Sequence, residues 1–402
     1  MARNGKKAAK DPYPRHLRLW RFCYAIAHRY VEHKFNITHD ELDVEGPIIL
    51  VPNHVTNWDP LIVGMSLRKK HYYFVATEHI LRLGFLSKVL VFVFGPIPRP
   101  KGGSSLDSIR KIVDHVKKGH SICLFAEGEA TWDGKSQPIF PATGKLIRLS
   151  GATLVTFRIE GGYLSLPRWS NGQRRGAVHS HVVHIYRPDQ LKKMSPQEIN
   201  DAIETDIFED AFARQTAEPV AYRGKTPAEK LESLLFYCPV CKKLGTLRSE
   251  RELLFCSCGF RTRFTENGFF APEEPFKTVY EWAHWQQEEL KKRCETVLKD
   301  HVPQRDEALF SDDMLRFNRV TVTHETIPLG TVRLTQYPDR ITLGGQAFQL
   351  SGITDMAMVQ ECRLLFTAEG TYYEVLSEKH SGVNLKKYLD YFHCVQAVRS
   401  QI

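Results

Sequence analysis

The stretch Pro47-Ile48-Ile49-Leu50-Val51-Pro52-Asn53-His54-Val55-Thr56-Asn57-Trp58-Asp59-Pro60 restricts the fold of this chain more than any other. Its first six residues are an unbroken apolar run, short enough for a strand buried on both faces. The polar turn that follows ends in Asp59 and Pro60, which suit the N-cap and the first position of a helix. His54 leaves the end of the strand and Asp59 comes five residues later, so a turn could fold the carboxylate back onto the imidazole. An imidazole so placed can take the proton of an attacking hydroxyl, while the carboxylate fixes its tautomer and stabilises the imidazolium. The plainer alternative makes His54 a polar turn residue and Asp59 only a cap.

The next hundred residues continue the alternation. Segments 72–76, 121–125 and 152–159 read as strands, and 60–68, 80–94, 104–118 and 144–150 as helices. Alternating strands and helices predict an α/β domain with a largely parallel central sheet flanked by helices. In such sheets ligands sit beyond the carboxyl ends of the strands. His54, Glu127 and Glu160 all fall at such ends and are expected to converge. Arg158, His79 and His115 have no motif around them and read as structural or solvated.

Three motifs follow one another here: Asn53-His54 with Asp59, then Gly95-Pro96-Ile97-Pro98-Arg99, then Phe125-Ala126-Glu127-Gly128. In this order they resemble the glycerolipid acyltransferases, in particular the 1-acylglycerol-3-phosphate acyltransferases, over about residues 15–190. The resemblance implies that His54 is the general base and Asp59 its orienting partner. It also implies that Arg99 binds the acceptor phosphate and that Glu127 and Gly128 help form the acceptor site. The donor would be acyl-CoA or acyl carrier protein, the acceptor a lysophospholipid, and no cofactor is needed for the transfer. One departure bears on the head group: where the family has Thr-Arg after Glu-Gly, this chain has Glu129-Ala130. A non-catalytic lipid-binding protein and a zinc-ribbon adaptor are the alternatives.

The net charge of +9 is unevenly spread. Nine Lys or Arg in the first 35 residues stand against Asp11 and Glu32, a local net charge of +7. The segment 14–34 reads as a helix with Leu17, Trp20, Tyr24, Ala27 and Val31 on one face and Leu19, Phe22 and Ile26 opposite, among arginines. That composition suits an interfacial helix on an anionic membrane surface. No apolar stretch follows the early lysines as in a signal peptide, and no apolar run reaches membrane-spanning length. The expectation is a cytoplasmic chain, peripheral at the inner face of the membrane.

A helix is expected over 195–212 and a linker over 217–228, where Pro219, Gly224 and Pro227 cluster. Cys238-Pro239-Val240-Cys241 and Cys256-Ser257-Cys258-Gly259 then stand fourteen residues apart, a spacing that predicts a zinc ribbon with Cys238, Cys241, Cys256 and Cys258 as ligands to one structural zinc. Tyr237, Leu253, Phe255, Phe260 and Phe264 around the knuckles favour packing over a basic groove, so no nucleic acid is expected. The other five of the nine cysteines are scattered, which suits a reducing compartment. After a helix at 279–298, short strands are expected at 331–335, 340–343, 347–350, 356–359, 363–367 and 372–376, closed by a helix at 384–399. Antiparallel strands with one terminal helix resemble a pleckstrin-homology-like domain. The domains so read are a basic N-terminal helix (1–40), the acyltransferase domain (41–215), the ribbon with its helix (230–300) and the β domain (301–402).

Overall fold

The computed structural model describes residues 11–77, 85–99, 106–170, 172–299, 306–321, 325–378 and 382–399. His79, the basic residues before Asp11 and the starts of the helices expected at 80 and 104 lie outside them. In chain order come α1 (Tyr13–Phe35), β1 (Ile37–His39), β2 (Ile48–Pro52), α2 (Asp59–Met65), β3 (Tyr72–Thr77), α3 (Phe85–Phe94), β4 (Ile97–Arg99), α4 (Leu106–Lys117) and β5 (Ser121–Cys123). Next are α5 (Thr143–Ser150), β6 (Thr153–Glu160), the single turn α6 (Gly162–Ser165), β7 (Val178–Tyr186), α7 (Pro188–Leu191), α8 (Pro196–Ile207) and α9 (Ala211–Ala217). The remainder holds β8 (Leu247–Glu250), β9 (Leu253–Cys256), β10 (Arg261–Phe264), β11 (Phe270–Ala271), α10 (Val279–Lys299), β12 (Phe310–Val320), β13 (Thr326–Gln336), β14 (Arg340–Leu343), β15 (Gln346–Gln349), β16 (Ile353–Val359), β17 (Arg363–Ala368), β18 (Thr371–Leu376) and α11 (Lys386–Arg399).

The chain divides into two compact units. The first takes residues up to Glu129 with Ser136–Glu160 and Val178–Glu209; the second takes Ala130–Lys135, Gly161–Ala177 and everything from Asp210. The first unit is a seven-stranded sheet of order β1-β7-β6-β2-β5-β3-β4. Its pairings are parallel except β6–β7. β2 lies at its centre with Ile48, Ile49, Leu50 and Val51 fully buried, which is why the run is apolar at every position. Ile112 and Val116 of α4, Ile147 of α5 and Ile199 and Ile203 of α8 complete the core.

Four differences from the sequence reading have physical causes. β7 has no strand signal in the sequence, because His179, Ser180, His181 and His184 break its apolar pattern. The helix expected to reach 212 stops at Ile207: Phe208 is extended, and the Asp210 side chain accepts from the amides of Phe212 (3.1 Å) and Ala213 (3.0 Å) to start α9. The supposed linker is tied down, with Tyr222 N–H on Glu266 O (2.7 Å) and Arg175 and Arg223 exchanging backbone bonds (2.8 and 3.1 Å). β12 likewise lies outside the strands expected from the sequence. It is the hub of the antiparallel C-terminal sheet of order β15-β14-β13-β12-β18-β17-β16, and a bulge at Asp312–Leu315, with Met314 at φ 59°, interrupts its alternation. α11 packs on that sheet through Tyr388 Oη to Asp312 Oδ2 (2.7 Å) and Tyr391 Oη to Pro338 O (3.1 Å).

α1 buries Trp20, Tyr24, Val31 and Phe35 and leaves Phe22 (65% exposed) and Ile26 (67%) outward. Its first turn is fastened at the amino ends of β3 and β5 by a histidine network. His120 Nε2 meets Asp11 Oδ2 at 2.9 Å and His120 Nδ1 meets His115 Nδ1 at 3.1 Å. His16 Nδ1 meets Tyr73 Oη at 3.2 Å and His71 Nε2 donates to Phe94 O at 3.0 Å. A neutral His120 that gives its Nε2 proton to Asp11 must accept at Nδ1, so His115 donates from its own Nδ1. Burial, reinforced by the neighbouring histidines, pushes His71 and His115 down to about 4. Both are neutral when folded and regain their ordinary value of 6.5 when unfolded. Their contribution to stability is complete above about pH 6.5 and is lost as the pH falls towards 4. Urea midpoints followed down this window should drop, and less steeply in His71→Phe; identical slopes in the two proteins would take His71 out of the acid response.

Candidate active site

The carboxyl ends of β2, β3, β4 and β5 point the same way, because these strands are parallel. Beyond β2, Asn53 extends the ladder with its side chain: Nδ2 donates to Ile159 O (3.0 Å) and Oδ1 accepts from Ile159 N–H (2.7 Å). This bidentate clamp on β6 fixes the residue before His54. The turn then closes on Asp59, which is fully buried. Asp59 Oδ2 accepts from Val55 N–H (2.7 Å) and Thr56 N–H (3.1 Å), and meets His54 Nδ1 at 2.7 Å. Asp59 is therefore not the side-chain cap expected of it. α2 begins at Asp59 itself, and the carboxylate turns back to three nearby donors.

A carboxylate can only accept, so His54 Nδ1 carries the proton and, in the neutral ring, Nε2 keeps its lone pair. Among the described residues Nε2 has no hydrogen-bond partner. The ring lies stacked on Phe125, 4.4 Å between centroids, with 17% of the side chain exposed. Burial pushes the Asp59 carboxyl upward, opposed by the His54 ring and by the Thr56 and Val55 amides.

Glu127 follows β5 and lies one strand away. Its Oε1 accepts from His54 N–H (2.7 Å) and its Oε2 from Gln137 N–H (2.6 Å). Burial drives this carboxyl up to about 8 against those two amides. Both oxygens are thus engaged in holding backbone, one of them directly under the histidine. Gly128 has φ 81°, and a Cβ there would lie 2.5 Å from the Phe140 ring. Arg99, at the end of β4, places its guanidinium 3.9 Å from the centroid of the same ring, and burial lowers its pKa. Phe140 therefore links Gly128 to Arg99, a role with no signal in the sequence beyond its aromatic character. Glu160 faces Arg158 and His181, each at 3.9 Å. Arg158 donates to Asp206 O through Nε (2.9 Å) and Nη2 (2.5 Å). Ala130 is buried, and its carbonyl accepts from Arg168 (3.1 Å). The four clustered cysteines belong to the second unit.

Residues 30–160 match the family model described as Acyltransferase, and this stretch contains His54, Asp59, Arg99, Glu127 and Gly128. Among solved structures, the crystal structure of the 1-acyl-sn-glycerophosphate (LPA) acyltransferase PlsC from Thermotoga maritima is similar at 17% identity and a TM-score of 0.41. The match covers 50% of this chain and 80% of that one.

The double use of Glu127 gives a test. In Glu127→Gln, the amide NH2 must face one of the two backbone N–H groups, leaving a buried donor unsatisfied at a cost of about 1–3 kcal/mol. The urea unfolding free energy should fall by that amount. An unchanged value would show that the two bonds contribute nothing to holding the His54 turn.

Proposed function

We propose that this chain transfers a fatty acyl group from acyl-CoA or acyl carrier protein to the free hydroxyl of 1-acylglycerol-3-phosphate, giving phosphatidic acid for phospholipid synthesis. The observation that carries the proposal is the His54–Asp59 pair, with an Nε2 that no described residue bonds, inside the stretch that matches the acyltransferase model. The acceptor hydroxyl gives its proton to Nε2 as its oxygen attacks the thioester carbonyl. The tetrahedral intermediate collapses by breaking the C–S bond, and the imidazolium returns the proton to the departing thiolate. Asp59 holds the tautomer and balances the imidazolium. Arg99 binds the acceptor phosphate, seated by Phe140, while Gly128 leaves room for that ring. Glu127 acts as a positioning residue through the His54 backbone.

A lysophospholipid acceptor lies in a bilayer, and the outward Phe22 and Ile26 beside Arg18, Arg21 and Arg29 suit contact with an anionic surface. No described helix is long and apolar enough to cross a membrane. We read the enzyme as peripheral at the cytoplasmic face. The C-terminal sheet with α11 reads as a pleckstrin-homology-like module on its strand order.

His54→Ala should lower turnover about 100- to 10,000-fold, and Asp59→Asn should lower it by misplacing the tautomer, with lysolipid still bound by both. Arg99→Ala should instead raise the KM for acceptors that carry a phosphate monoester, because a phosphate-binding arginine contributes largely uniform binding. Glu129→Thr/Ala130→Arg should shift preference further towards lysophosphatidic acid relative to a zwitterionic lysolipid. Wild-type rates in His54→Ala with every acceptor would end this reading.

Deleting the N-terminal helix would strip Trp20 and Tyr24 from the core, so membrane binding is better tested on the outward face. An apolar side chain of this size contributes about 1.5–3 kcal/mol when fully buried, so Phe22→Ser/Ile26→Ser should weaken vesicle sedimentation at least about tenfold. Unchanged sedimentation would move the contact elsewhere, with the exposed Phe85 and Phe92 of α3 the next residues to substitute.

A further inference from the structure

The four cysteines that acyl transfer leaves unused are drawn together in the second unit. Cys238 and Cys241 flank a tight turn in which Lys242 N–H bonds Cys238 O (3.0 Å) and Cys238 N–H bonds Lys243 O (3.2 Å), with Lys242 at φ 57°. The second turn opens at the end of β9: Gly259 N–H bonds Cys256 O (3.1 Å), and Gly259 has φ 98°. The two turns face each other, with Cys238 Sγ 3.7 Å from Cys258 Sγ and Cys241 Sγ 3.8 Å from Cys256 Sγ. All four sulfurs lie within 4.8 Å of one another, and none is in a disulfide.

Those separations decide between two chemistries. A disulfide requires about 2.05 Å between sulfurs. A tetrahedron with metal–sulfur bonds of about 2.3 Å has edges of about 3.8 Å. We propose that Cys238, Cys241, Cys256 and Cys258 bind one zinc ion as a closed four-thiolate structural centre. On binding, each thiol releases its proton to solvent and its sulfur becomes a ligand, so no oxidant or reductant is involved. Four protein ligands leave no open position for a substrate. Thr246 Oγ1 lies 3.2 Å from Cys256 Sγ, placed to donate to the thiolate.

The need for a metal follows from the size of the sheet it would hold. β8, β9 and β10 have four residues each and β11 has two, too little to bury a core of their own. The first turn is also continuous with the segment that docks α10. Phe236 N–H donates to Gln286 Oε1 (3.0 Å), Gln286 Nε2 donates to Leu234 O (2.9 Å), and Trp282 Nε1 donates to Tyr237 O (2.9 Å). Phe260, Phe270 and Phe276 pack round Trp282. Metal loss is therefore expected to reach the Trp282 environment.

The full-length chain purified without chelator should contain one zinc per chain by elemental analysis. Stripping it with a chelator should expose four additional reactive thiols and change the near-ultraviolet circular dichroism of the tryptophans. Adding cobalt(II) to the stripped wild-type chain should give thiolate-to-cobalt charge-transfer bands and the visible bands of a tetrahedral site. Cys258→Ser removes the exposed ligand, and its zinc affinity should fall by more than the roughly 10- to 100-fold that loss of an outer hydrogen-bond partner costs. The cobalt titration needs no variant, so the test survives a misfolded mutant. A folded chain free of metal that gives no cobalt bands would overturn the proposal, as would iron in place of zinc or four cysteines found as two disulfides. None of these readouts involves acyl transfer, so this proposal and the catalytic one fail separately.

Discussion

The buried carboxylate of Asp59 is the interaction on which the turn carrying His54 depends. One oxygen gathers Val55 N–H, Thr56 N–H and His54 Nδ1 within 3.1 Å. A buried anion is tolerable only when donors surround it, and here the donors are the turn itself. The same bonds that satisfy the carboxylate therefore define the path of residues 54–58 and the orientation of the ring. Satisfying Asp59 through Nδ1 also fixes the tautomer, so the neutral His54 ring keeps its lone pair on Nε2.

What stands beneath that turn is the parallel sheet. β2 is apolar throughout because both its faces are covered, and its carboxyl end is where the backbone stops being needed for the ladder. Asn53 makes the transition by continuing the pairing to β6 with its side chain, and Glu127, one strand over, takes the next amide. The histidine is thus held from both sides of its strand before its own side chain is considered. Arg99 arrives at the same end of the sheet because β4 runs parallel to β3 and β3 to β5. Its seat on Phe140 is then set by the loop after β5, where Gly128 permits the ring's approach.

The sequence made this end of the molecule readable because each part has a local signature. An apolar run, a polar turn and a Pro-started helix name a strand, a loop and a helix without reference to anything distant. Asp59 shows the limit of that reasoning: the sequence allowed it to be a cap or to turn back onto His54, and the fold adds the Val55 and Thr56 amides that draw it back. Phe140 and Gln137 act through their position in space and had no pattern to announce them. β7 and β12 were hidden for a different reason. The histidines of β7 and the bulge at Met314 in β12 spoil the periodicity by which strands are recognised, although both strands have neighbours on each side. Pairing partners far along the chain, not local propensity, make them strands.

The first unit and the short-stranded ribbon hold their order in different ways. The first buries enough apolar surface to enclose polar groups, and it spends that capacity on Asp59, Glu127 and the neutral histidines behind α1. Each is held by hydrogen bonds whose protons must be in particular places, so this unit's order is tied to protonation. The short strands β8–β11 have no such surplus. Four sulfurs within 4.8 Å of one another offer a further tie, in which one ion would join the two cysteine turns. That ion would tie the ribbon's order to metal supply and leave it less dependent on pH until the thiolates themselves are protonated.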